Sequence, residues 1–97
     1  MRILVFKEGT QFVAQALEAD FNAQGSNIET AIYNVQMAIA LRLSKGGKWP
    51  APAPDWFDVL WTKSKNYVSP TYNFSLGSYM NIDLPDFEFR TWELISP

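Results

Sequence analysis

The chain has no cysteine and no histidine among its 97 residues. Disulfides, thiolate nucleophiles, zinc sites built from Cys and His, and imidazole acid–base chemistry are therefore excluded. Basic residues are few: eight Lys and Arg against ten Asp and Glu give a net charge of −2. No basic patch exists to attract a phosphate backbone, so direct nucleic-acid binding is not expected. Long hydrophobic runs are also missing. The apolar stretch in Met1–Gly9 is Ile3-Leu4-Val5-Phe6, too short for a signal peptide or a membrane span, so a cytoplasmic protein with no membrane partner is expected. There is no Gly-rich phosphate loop, internal repeat, low-complexity tract or charge block.

What is abundant is aromatic and aliphatic. Aromatics make up 15% of the chain and hydrophobic residues 47%, enough for one small core and too many for disorder. Arg2 to Lys7 reads as a strand, and Glu8-Gly9-Thr10 as a hairpin loop. In Gln11 to Glu18, Phe12, Ala14 and Ala16 share one face while Val13, Gln15 and Leu17 share the other. Both faces are apolar, so this strand is expected to be central, covered by a helix on one side and a partner on the other. Ala19-Asp20 is a kink, and Phe21 to Gln24 a third short strand.

The longest periodic run follows. Ser26 and Glu29 have the spacing of a capping box, and Ile28, Ala31, Ile32, Val35, Ala38, Ile39 and Leu43 form one stripe at helical spacing. Lys45 with Gly46-Gly47 supplies the stop. Tyr33, Met37 and Leu41 lie off the stripe. That second apolar side awaits either the C-terminal segment or a partner.

Lys48 to Pro54, with Pro50, Pro52 and Pro54, reads as a stiff spacer. Asp55 can cap a short helix carrying Trp56, Phe57, Leu60 and Trp61 on one face, either core or partner-binding. From Tyr72 the period becomes two: Tyr72, Phe74 and Leu76, a Gly77-Ser78 turn, then Met80, Ile82 and Leu84. Phe87, Phe89 and Thr91 alternate as a last strand, with Trp92 beyond; a helical turn over Arg90 to Leu94 is the alternative.

These readings give an α+β fold: a small antiparallel sheet packed on one long amphipathic helix in β-β-β-α order, then an aromatic-rich C-terminal helix and further strands. Residues 1–48 form the β-β-β-α unit, 49–54 the proline linker, and 55–97 an aromatic extension packing on the same domain.

Catalysis has little to stand on. Of the carboxylates, Glu18 and Asp20 are the most site-like pair, near a strand end where oxygen ligands could hold a hard cation, but they lack a convincing third ligand. No base is signalled for a Ser or Thr nucleophile. The chain is expected not to be an enzyme, with no cofactor and no metal.

The N-terminal half resembles the HicB-like group. The residues that carry the resemblance are Phe12-Val13-Ala14, Ala23-Gln24-Gly25 and Glu29-Thr30-Ala31 with Asn34 and Ala38. The resemblance covers residues 1–48 and implies a truncated RNase H-like fold of order β-β-β-α-β. It also implies a non-catalytic antitoxin-like module that binds and masks a small RNA-cleaving toxin, with dimers or larger assemblies. The first strand lacks an acidic residue where an RNase H-like nuclease holds its metal. The C-terminal half resembles neither a helix-turn-helix nor a ribbon-helix-helix, so the family's DNA-binding role is not carried over. A phage-encoded inhibitor of a host defence nuclease complex is the alternative reading, and a toxin-like or defence-system protein is the expected partner. The candidate partner surface is Tyr33, Met37, Leu41, Trp56, Trp61 and Trp92.

Overall fold

The computed structural model describes residues 1–68 and 84–92. The hairpin expected from Tyr72 to Leu84 lies outside that set, apart from Leu84 itself. Among the described residues the elements are β1 (Arg2–Glu8), β2 (Gln11–Ala16), β3 (Asn22–Gly25), α1 (Ile28–Ser44), α2 (Trp56–Thr62), β4 (Lys65–Asn66) and β5 (Glu88–Trp92). The strands form one sheet in the order β3-β2-β1-β5-β4. The fold is α+β with the expected β-β-β-α order. The first three strands are antiparallel. β5 then returns beside β1 in parallel, Ile3 facing Phe89 and Leu4 facing Arg90, which makes the whole sheet mixed.

β1 and β2 join through a two-residue loop, with Gly9 at φ +62°, a left-handed conformation that glycine adopts without steric cost. β2 ends earlier than its apolar pattern suggests. The Ala16 N–H still donates to the Phe21 carbonyl and the Leu17 N–H to the Arg2 carbonyl, each one step beyond a ladder, while the Leu17 carbonyl accepts from the Ala53 N–H.

The helix begins one residue later than the capping-box spacing implies. Asn27 is the cap: its backbone is extended and its Oδ1 accepts the Thr30 N–H at 2.8 Å. Ser26 is exposed, and Glu29 instead accepts a hydrogen bond from the Tyr67 hydroxyl. Asn is as good a cap as Ser, so the local sequence permitted either start. At the other end, Gly46 at φ +65° donates to the Leu43 carbonyl and Gly47 donates to that of Arg42. These two bonds are a Schellman motif, satisfying two orphan carbonyls. The Arg42 guanidinium lies over the Phe21 ring and donates to the Lys48 carbonyl, holding the exit of the helix.

Two apolar clusters lie on the two faces of the sheet. On one face, Ala31, Ile32, Val35 and Ile39 of α1 pack on Ile3, Val5, Ala14, Ala16 and Phe89, with Ile28, Ala38 and Leu43 around them. Each fully buried aliphatic side chain here contributes about 1.5–3 kcal/mol. The other face carries Leu4, Leu17, Ala53, Phe57 and Trp61, with Phe6, Leu60 and Trp92 packed against them. The second face of β2 is thus covered by the chain's own α2 and proline segment, where the alternation alone suggested a partner.

The proline segment is correspondingly a docked strap, not a free spacer. Ala51 accepts the Asp20 N–H at 2.8 Å, and the Ala53 N–H donates to Leu17 at 3.0 Å. Pro50, Pro52 and Pro54 alternate with these alanines, so the residues without an amide hydrogen fall where none is needed. Asp55 has helical backbone angles and makes no side-chain cap. α2 starts instead on turn bonds from Phe57 to Pro54 and from Asp58 to Asp55.

Candidate functional site

The six residues singled out as a partner surface separate into two groups. Tyr33 and Leu41 are each 45% exposed, and Met37, one turn from each, is half-buried. Their spacing of four residues along α1 makes a continuous stripe. Trp56 is 55% exposed and Val59, one turn on, is 53% exposed. Trp61, by contrast, is 8% exposed and belongs to the core under α2, and Trp92 is half-buried against that cluster. On a helical wheel Trp56 and Trp61 stand about 140° apart, with Phe57 and Leu60 between them. Docking turns Phe57 and Trp61 onto the sheet and leaves Trp56 stacked on Phe57 at 3.8 Å with its outer side in solvent. Among the described residues the exposed large apolar side chains are those of α1 and α2 together with Trp49 before the proline segment and Val68 after β4.

The sheet edges are poorly suited to receive a strand. The Ala16–Phe21 bond sets the alternation of the ladder, so within β3 Asn22 and Gln24 turn their backbone groups outward. The Gln24 carbonyl is already taken by Asn34 Nδ2 of α1 at 2.8 Å. At the opposite edge β4 is two residues long. Short edges offer few main-chain bonds to an added strand.

Carboxylates do not converge. Glu18 is bound twice to Arg2, through the backbone N–H at 2.7 Å and through Nε at 2.5 Å. Asp20 accepts from Gln15 Nε2 at 2.8 Å, and that buried amide also donates to the Ala16 and Phe21 carbonyls. The two acids read from sequence as a pair are thus committed to different partners. Among the described residues no group of three or more acids is placed to hold a metal ion. No described helix is long and apolar enough to cross a membrane.

The densest polar arrangement surrounds Trp61. Arg2 and Arg90 both lie over its ring, their guanidinium carbons 5.6 and 5.0 Å from the centre. Arg2 also reaches Asp58 at 3.0 Å. Arg90 donates to the Trp61 carbonyl at 3.2 Å, while its Nε is buried without a hydrogen-bond partner, 3.8 Å from a Glu88 oxygen. The two arginines are diagonal neighbours across the β1–β5 pairing, Arg2 facing Glu88 and Arg90 facing Leu4, and sequence reasoning missed them. Their only sequence signal is that each shares a strand face with an apolar residue, Leu4 or Trp92.

Electrostatics follow these contacts. Burial pushes the Glu18 carboxyl up, but the hydrogen bonds from Arg2 outweigh it and hold it below the ordinary carboxylate value. The bond to Glu18 likewise raises Arg2. Tyr67 is pushed up to about 12 by burial and then by its bond to Glu29. Because the folded value of Glu18 is depressed, its contribution to stability is present above the unfolded value near 4.5 and is lost as pH falls through the folded value. Half-exposed partners keep this effect small. Glu18→Gln should therefore flatten the acid side of the stability profile. Urea midpoints at pH 7 and pH 3 check this: the drop should be smaller in the variant than in the parent.

No family model, curated protein or solved structure matches the chain.

Proposed function

We propose that this chain is a non-catalytic protein-interaction module that binds a protein partner through the outer face of α1. The observation that carries the reading is the continuous stripe of Tyr33, Met37 and Leu41 on a helix whose opposite face packs Ala31, Ile32, Val35 and Ile39 into the core. Aromatic and Met side chains contribute much of the energy where they become desolvated at an interface. The four-residue β3, with its Gln24 carbonyl already taken, and the two-residue β4 favour a helix face over strand addition. The resemblance of residues 1–48 to HicB-like antitoxins supplies the finer reading, a partner that is a small RNA-cleaving toxin held in an inactive complex. Three strands, a long helix and a later strand in the same sheet support it.

The test is co-expression with the product of the neighbouring reading frame, followed by co-purification and growth measurements. The double variant Tyr33→Glu with Leu41→Glu should keep the parental melt, since both sites are half in solvent, and should lose the complex and the protection from toxicity. Equal recovery of the complex with parent and variant would remove α1 from the interface. Absence of any complex with the parent would remove the toxin-masking role.

A further inference from the structure

We propose that residues Pro50 to Ser64, the strap and α2 together, form a cover that opens as one unit while the sheet and α1 stay folded. The segment is anchored at both ends and only docked between them. Before it, Trp49 packs edge-on against Phe21 at 5.3 Å, and Arg42 grips the Lys48 carbonyl. After it, Lys65 and Asn66 are paired with β5. Opening therefore leaves both attachment points in place.

The intervening contacts are of a separable kind. The cluster under the cover, Leu4, Leu17, Ala53, Phe57 and Trp61, is distinct from the larger one under α1. Two backbone hydrogen bonds join the strap to the bend after β2. α2 has seven residues and no side-chain N-cap, so it is too short to persist as a helix once undocked. Its remaining ties are Asp58 on Arg2, the two guanidiniums over Trp61, the Phe6–Phe57 ring contact, and hydrogen bonds from Arg90 to the Trp61 and Ser64 carbonyls. A layer held on a cluster smaller than the one under α1, with a partly exposed ionic tie, belongs to the low-stability end of a domain. When it lifts, it uncovers Leu4 and Leu17 on the second face of the sheet, with Phe6 beside them. This inference is independent of the α1 partner surface.

Native-state hydrogen exchange across a urea series tests it. Amides of Trp61, Thr62, Lys63 and Ser64 are expected to exchange at least about a hundredfold faster than those of Val35 and Ile39, with a much weaker urea dependence, the signature of sub-global opening. Asp58→Asn should speed the α2 amides by about twofold to fivefold, the range of an exposed ion pair. As a second arm, Phe57→Asp forces the open state. The variant should retain protection in α1 and gain binding of a hydrophobic dye at the uncovered face. The proposal is overturned if α2 and α1 amides exchange with one free energy and one urea slope, or if Phe57→Asp strips protection from both together.

Discussion

Val35→Asp and Ile32→Asp are each expected to abolish the cooperative thermal transition. Val35 is 0% and Ile32 2% exposed, and both lie in the cluster between α1 and the sheet, which offers them only apolar neighbours. A carboxylate there has no partner, and leaving it buried costs several kcal/mol on top of the lost packing. The whole stability of a domain of this size is about 5–15 kcal/mol, so one such substitution removes most or all of it. Tyr33→Asp is the matched control on the same helix. Its site is half exposed, so the change should stay within roughly 0.5 kcal/mol and a normal melt should remain. Circular dichroism melts of the three variants read the phase of the helix directly. A cooperative transition in both core variants would mean that this stripe does not face the sheet.

Gly25→Ala should be strongly damaging for a change of one methyl group. A Cβ on Gly25 would stand 2.4 Å from the Ala31 nitrogen, 2.8 Å from the Thr30 carbonyl carbon and 2.9 Å from the Ala31 Cα. These are backbone atoms of α1, so no side-chain rotation relieves them. The first turn of the helix must move off the strand, disturbing Ala31 and Ile32 in the core. A loss of about 1–3 kcal/mol or more is expected, or roughly 5–20 °C in Tm. Gly9→Ala provides the contrast. There a Cβ meets nothing within 4 Å, but φ is +62°, so the cost is backbone strain of about 1–2 kcal/mol without any shift of α1. Urea midpoints compare the two, and the α1 amides separate their mechanisms: early-turn protection should fall selectively in Gly25→Ala.

The frame of the molecule was legible because it rests on periodicity. The stripe from Ile28 to Leu43 predicted which side of α1 is buried, and the two apolar faces of Gln11 to Glu18 an interior strand, although the middle place in the sheet goes to β1. Alternation at Phe87, Phe89 and Thr91 marked β5, though nothing in it could reveal that the strand pairs in parallel with β1. Local chemistry was less decisive. Ser26 and Asn27 are both good caps, and only the path out of β3 makes Asn27 the one used. Gly25 reads as a strand breaker, yet it ends β3 as a buried residue and is required by close approach. The docking of α2 was beyond the pattern. Trp56 and Trp61 differ only in which lies toward Leu4 and Leu17, a long-range matter decided by the length and bonding of the strap. Of the candidate surface, Tyr33 and Leu41 remain exposed and Met37 half-buried because their side of the helix points away from the sheet.

The proline strap bears on how this chain behaves when crowded. Extended segments that flank a sheet invite copies of themselves to stack during refolding or at high concentration. Here the inward-facing bonding groups at Ala51 and Ala53 are used internally, and the alternate positions are imino acids with no hydrogen to donate. One molecule's strap therefore offers its neighbour no donor at those positions to begin a fibril. Replacing Pro52 by an ordinary residue would leave the fold's own bonds in place and add an outward donor, removing a safeguard against self-association that stability measurements on dilute protein would not detect.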